Sequence, residues 1–296
     1  MLNIPIPIVM KLKESKNILI MGMSGGGVFS ALPLYFTLKS MGMSVNLASH
    51  TGSNWEAIQS DAETIPMSST CVGFTGNIKN PSENMSEAYI ASWFKEAKGE
   101  EVPVWAFRRD QSAKEYTNSI NTLTKHLEID TILLVDGGVD SIMTGDEEGS
   151  GLMMEDSLIL AAIKHADVPT KLLSAVGFGS ELEDKLSHYR ALENMATITK
   201  QGGFYGSCSL VSFMDCFIQY KDACEYVWSK PGHKKSYIQI RIVNSAEGEF
   251  GDFHMFPMER SLEVFISPLT TIYWFYNADA AIYNSKIIPL IEDKES

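Results

Sequence analysis

Short apolar runs broken by glycine dominate the first half of the chain, with amphipathic stretches between them. Residues 17–22, Asn-Ile-Leu-Ile-Met-Gly, run apolar into a glycine-rich turn, the pattern of a buried parallel strand feeding a helix. Phe29, Leu32 and Phe36 follow at helical spacing over residues 28–40, with Met41-Gly42 as a stop. Pro33 inside that stretch predicts a kink or a late helix start. Residues 44–49 read as the next strand, so the chain opens with a β-loop-α-β unit whose crossover is right-handed.

Residues 56–99 are less regular and predict a loop, a short strand near 71–74 and a helix near 86–98. Further strands are expected at 102–107, 131–135 and 171–176, and helices at 110–127, around 158–163 and at 180–195. Residues 209–228 carry Leu210, Phe213, Phe217 and Tyr220 on one stripe and read as a core-facing helix. Residues 237–243 alternate like a half-exposed strand, as do 262–266, and the aromatic run Tyr273, Trp274, Phe275, Tyr276 predicts core packing. The expected fold is α/β: a Rossmann-like, mainly parallel sheet flanked by helices, with a glycine-rich loop after the first strand. One such domain spans 1–296, with irregular insertions and an aromatic-rich C-terminal part.

Composition narrows the partners. A chain of 296 residues with 45% hydrophobic and 21% charged residues can bury a sizeable core, and no apolar run approaches the roughly 18 residues of a membrane span. The balance of 24 Lys and Arg against 37 Asp and Glu, a net charge of −13, repels polyphosphate backbones and anionic membranes. Neither nucleic acid nor membrane is therefore expected as a partner. The apolar start precedes Lys11, Lys13 and Lys16, the reverse of a secretory signal, which predicts a cytoplasmic chain. Cys208, Cys216 and Cys224 recur every eight residues in what reads as one helix, about 12 Å apart, too far to share a zinc ion.

The candidate chemistry lies in two loops. Gly22-Met23-Ser24-Gly25-Gly26-Gly27 joins the first strand to its helix, where bare backbone and a helix N-terminus favour a phosphate or carboxylate. Its spacing matches neither the dinucleotide fingerprint nor the phosphate-binding loop, and tight helix-on-strand packing is the competing explanation. The second loop follows the strand at 131–135. From His126 to Ile163 there are nine acids and no Lys or Arg, so −9 of the net −13 falls in one segment. Asp136-Gly137-Gly138-Val139-Asp140 stands at the carboxyl end of a strand, where open α/β sheets bind ligands. Two carboxylates 4 Å apart repel by about 4 kcal/mol at an effective dielectric of 20. A divalent cation, Mg²⁺ or Ca²⁺, held by Asp136, Asp140, Asp146 and Glu148 would relieve that repulsion, as would a raised carboxyl pKa or ligand hydroxyls. The alternative for Asp146, Glu147 and Glu148 is a face turned to water.

Three segments together resemble the DUF1152 family, an uncharacterised and mostly prokaryotic group. They are Ile18 to Gly27 with Ser30-Ala31-Leu32-Pro33, the pair Trp55-Glu56, and Val135 to Asp140 with Gly145-Asp146-Glu147-Glu148 and Asp156. The resemblance continues through Pro268-Leu269-Thr270 and Tyr273-Trp274-Phe275, and it implies a single Rossmann-like domain with a glycine-rich first loop but no reaction. Two positions depart from the family pattern: Val28 stands where an aspartate usually ends the glycine run, and Ala57 where an arginine usually follows Trp-Glu.

These readings converge on a binder of a nucleotide or phosphorylated sugar. Gly25, Gly26 and Gly27 would hold the anion with Gly137 and Gly138 nearby, Glu56 a hydroxyl, Trp55 a base or sugar face, and Asp136 and Asp140 a cation or an activated water. Metal-assisted hydrolysis or group transfer is the reaction class such groups support. A non-catalytic small-molecule sensor and an oligomeric scaffold are the alternatives, and a homo-oligomer is expected. His50 and His254 are the candidate bases, but no serine stands in a nucleophile elbow.

Overall fold

A computed structural model describes residues 7–23, 26–81, 85–147, 153–180, 186–231, 233, 235–253 and 265–295. Its strands are β1 (Asn17–Gly22), β2 (Ser44–His50), β3 (Ala62–Ser68), β4 (Cys71–Ile78), β5 (Val104–Phe107), β6 (Thr131–Asp136), β7 (Thr170–Ala175), β8 (Phe204–Ser209), β9 (Gly251–Asp252), β10 (Phe265–Ile266) and β11 (Ile272–Asn277). Its helices are α1 (Pro7–Lys13), α2 (Gly27–Ser40), α3 (Ile58–Asp61), α4 (Ser86–Trp93), α5 (Ala113–His126), α6 (Met153–Lys164), α7 (His188–Lys200), α8 (Asp215–Trp228), α9 (Tyr237–Ala246), α10 (Ala278–Asn284) and α11 (Ile288–Glu295).

Nine strands form one sheet in the order β3-β4-β5-β2-β1-β6-β7-β11-β8, and β9 and β10 form a separate ribbon. The five central strands, β5-β2-β1-β6-β7, are parallel, whereas β3 and β4 at one edge and β11 and β8 at the other are added antiparallel. Counted along the chain, the parallel strands lie third, second, first, fourth, fifth, which is the Rossmann order. The direction in which successive strands are added reverses between the parallel neighbours β1 and β6, and the register pairs Gly22 with Val135 there. The loops after these two strands therefore emerge side by side, tied by Met23 N–H donating to Val135 O at 3.0 Å.

Both faces of the central strands are covered, which is why β1 reads as a continuous apolar run. Ile18 and Ile20 face a core shared with α2, α4, α8 and α9, and Leu19 and Met21 face one shared with α5, α6, α7, α10 and α11. Ser112 and Glu115 form a capping box that starts α5. No helix among the described residues is long and apolar enough to cross a membrane.

Several elements differ from the periodicity. The helix after the first turn starts at Gly27 and runs through Pro33, whose carbonyl takes the Thr37 hydroxyl at 2.8 Å, so there is no late start. Residues 237–243 are helical, not a strand. Their alternation misleads because the polar members Gln239 and Arg241 are buried and hydrogen-bonded inside the protein instead of facing water. The stretch 209–228 divides into the end of β8 and the shorter α8, which puts Cys208 on a strand and only Cys216 and Cys224 on the helix. Phe213 precedes α8 and is 83% exposed, so it does not join the stripe. The helix expected at 180–195 begins only at His188, and residues 181–185 lie outside the described residues, as do 262–264 of the strand expected at 262–266. Tyr273, Phe275 and Tyr276 are buried on β11, as core packing required.

Candidate functional site

Three aspartates meet at the reversal point of the sheet. Asp136 is the last residue of β6, Asp140 opens a 3-10 turn over Asp140–Ile142, and Asp156 lies in the first turn of α6. One carboxylate oxygen from each lies within 4.8 Å of the others, and the residues are only 4%, 3% and 2% exposed. The backbone fixes Asp136 at both ends. Its carbonyl accepts from Val176 N–H at 3.1 Å, and its Oδ2 accepts from Ser141 N–H at 3.1 Å. Burial, and then the charge of Asp140, push the Asp136 carboxyl well above its ordinary value of 3.8. Such a group either keeps a proton or meets a cation, and three buried carboxylate oxygens suit a hard divalent ion.

A second polar layer flanks the triad. Glu155 Oε2 accepts from the Arg109 guanidinium at 2.6 Å, and Oε1 stands 3.4 Å from His50 Nε2 at the end of β2. Burial lifts the Glu155 carboxyl even against Arg109, and it lowers His50 to about 4, so the imidazole is neutral at pH 7. On the other face of β2, Glu87 of α4 is fully buried and accepts from the hydroxyls of Ser49 and of Thr51, the latter at 3.0 Å. Burial raises its carboxyl as well.

The glycines divide by purpose. A Cβ on Gly22 would lie 2.1 Å from the backbone carbon of Gly27, and one on Gly27 would lie 2.8 Å from that of Gly22, so this pair lets helix and strand touch. Gly26 faces Ser236 at the start of α9, and Gly137 is pressed against Ser30 of α2, where an added Cβ would meet Oγ at 2.6 Å. Gly138 continues that loop beside Gly177, and Gly25 lies outside the described residues.

The other acids of the segment do not join the triad. Asp146 is exposed and ion-paired to Lys286 and to Arg190, the latter at 3.1 Å, and the Lys286 hydrogen bond leads in holding its carboxyl below the usual range. Glu147 accepts from Thr144 N–H at 2.8 Å, Gly145 N–H at 2.7 Å and the Asn194 amide at 2.9 Å, which clamps this loop to α7. Glu148 lies outside the described residues. Trp55 and Glu56 form a 3-10 turn and line a separate cleft of about 280 Å³ with Gln59 and Ser68, to which none of the three aspartates contributes. Glu155 and Glu87 are the buried acids near these strand ends that local sequence pattern does not single out, whereas Asp156 enters the sequence reading only through the family resemblance and His50 only as a candidate base. Their common signal is position at a strand end or in a helix first turn, which has meaning only once the strand order is known.

The profile of the family described as protein of unknown function (DUF1152) matches residues 19–296. The chain belongs to the DUF1152 family. That match runs from β1 to the C-terminus and so includes every residue of the triad. No curated protein and no solved structure matches the chain.

Proposed function

We propose that this DUF1152 protein binds a phosphate-bearing small molecule, a nucleotide or a phosphorylated sugar, together with a divalent cation such as Mg²⁺ or Ca²⁺, and hydrolyses it or transfers part of it. The observation that carries the reading is the buried triad Asp136, Asp140 and Asp156 at the point where strand order reverses, the crevice where Rossmann-like sheets bind ligands. Burying three carboxylates so close together is costly unless positive charge or protons compensate, and a bound cation would supply Lewis-acid polarisation of a phosphoryl oxygen. Asp136 and Asp140 hold the ion from the loop side and Asp156 from the helix side. Glu155, steadied by Arg109, stands beside them.

Thermal unfolding tests this directly. At a cation concentration 100 times Kd, binding to the native state alone contributes about 2.7 kcal/mol, a rise in melting temperature of about 4 °C for a chain of this size. Mg²⁺, Mn²⁺ or Ca²⁺ is expected to produce that rise, and Asp140→Asn to abolish it while the protein stays folded. A panel of nucleotides and sugar phosphates then separates an enzyme from a sensor, since only the enzyme consumes the ligand. If no cation stabilises the protein, the metal-assisted reading fails.

A further inference from the structure

We infer that the cleft lined by Trp55 and Glu56 is a binding site for an uncharged sugar, one ring of which stacks on the Trp55 indole. The site stands apart from the triad and does not rest on the phosphate-bearing reading above. It lies just beyond the carboxyl end of β2, the end of the parallel strands that also carries Asp136. Its volume of about 280 Å³ is at the small end for ligand pockets, which suits a single ring.

The cleft is built between two fixed turns. One wall is the stretch from Trp55 into α3, and the other is the turn that joins β3 to β4. Ile58 and Val72 at its base belong to the buried core, and the half-buried Trp55 packs against the same core. On the first wall, Ala57 N–H donates to Asn54 O at 3.1 Å and the Ser60 hydroxyl donates to Ala57 O at 2.8 Å. On the second, Thr70 N–H donates to Ser68 Oγ at 3.2 Å, and Arg108 N–H beyond β5 ties the turn down by donating to Thr70 O at 3.0 Å. A cleft whose walls are already ordered loses little freedom when a ligand enters.

The lining selects the ligand by charge and by shape. Glu56, Gln59 and Ser69 are exposed, and their side chains make no hydrogen bond to another described residue. They offer a carboxylate, an amide and a hydroxyl, the mixture of acceptors and donors that a ring of hydroxyls can satisfy. No Lys, Arg or His lines the cleft, and Arg108, which feels the Glu56 charge, is forked onto Asp110 with Nη2 donating at 2.5 Å. A phosphate or carboxylate would therefore meet Glu56 without a neutralising partner. Trp55 is the one aromatic residue in the lining, whereas a base held by stacking on both faces needs two. The C–H face of a sugar ring complements the negative face of a single indole.

Glucose, galactose, mannose and ribose, titrated separately into the full chain in EDTA and followed by saturation-transfer NMR and calorimetry, test the site. At least one is expected to bind with Kd on the order of 1 mM, the scale for a one-ring ligand, with saturation strongest on its ring C–H protons. Trp55→Ala is expected to lower that affinity at least about tenfold. Because Trp55 also packs on the core, the exposed Glu56 supplies a second variant, which decides the matter if Trp55→Ala fails to fold. Glu56→Ala is expected to weaken binding about fivefold or more with an unchanged melting temperature. Asp140→Asn, outside the cleft, is expected to keep the affinity within about twofold. Absence of binding by all four sugars, unchanged affinity in Glu56→Ala, or tighter binding of adenine or inorganic phosphate than of every sugar overturns the inference. No cation is present in these titrations, so their failure leaves the triad to its own thermal test, and failure of that test leaves the cleft untouched.

Discussion

The acidic segment divides into two regions with opposite electrostatics. Around Asp136 the carboxylates are buried together and the Asp136 carboxyl is pushed upward. About ten residues later Asp146 is exposed between Lys286 and Arg190, and its carboxyl is pushed downward. Both regions belong to a stretch that contains no Lys or Arg of its own. The difference lies in what distant parts of the chain bring to each: cations from α7 and the turn before α11 reach Asp146, whereas Asp136 receives further carboxylates from the next loop and from α6. A run of acids becomes a candidate site only where the fold withholds neutralising side chains and water together.

The comparison can be broken most forcefully at the cation. Asp136→Asn and Asp140→Asn should each remove the cation-induced stabilisation, whereas Asp146→Asn should keep it in full. Equal loss in all three, measured by thermal shift, would erase the distinction between the regions. A smaller effect is expected from the backbone of the triad loop. Gly137→Ala forces a methyl to 2.6 Å from Ser30 Oγ and should cost about 1–3 kcal/mol in denaturant unfolding.

The pH dependence sharpens the contrast, because the two regions have opposite signs. Asp136 keeps its proton in the folded state at pH values where the unfolded chain has lost it. Without cation its contribution therefore turns unfavourable as pH rises above 3.8 and through its raised folded value. Asp146 behaves the other way: its stabilisation is complete above 3.8 and is lost as pH falls through its depressed folded value. Unfolding free energies of the cation-free protein, measured upward from pH 3.8, should decline less or rise more in Asp136→Asn than in wild type. The His50 contribution, which adds stability as pH rises from about 4 to 6.5, is common to both proteins and cancels in the comparison. The smallest effect belongs to the exposed pair. Lys286→Ala should leave the melting temperature nearly unchanged at physiological salt, and a large drop would mean that the Asp146 clamp is structural.

Much of the fold is legible in the residues. The apolar runs of β1 and β6 are continuous because helices cover both faces of the sheet, and that pattern survives without knowledge of neighbours. Legibility fails where polar groups are buried. Gln239 bonds Ser30 and Tyr220, and Arg241 bonds Ser180, so an alternation that mimics a half-exposed strand is a helix packed on the core. The same limit governs the site. Asp136 and Asp140 are recognisable from glycines at a strand end, but Asp156 joins them only because α6 begins at the reversal point, and Asp146 and Trp55 are carried elsewhere. Sequence alone determined the strand-loop-helix units and the concentration of negative charge, since both follow from local pattern and composition. Tertiary structure decided which acids are buried together, which find cations, and which helix starts face one another, because those depend on strand order and on partners from distant parts of the chain.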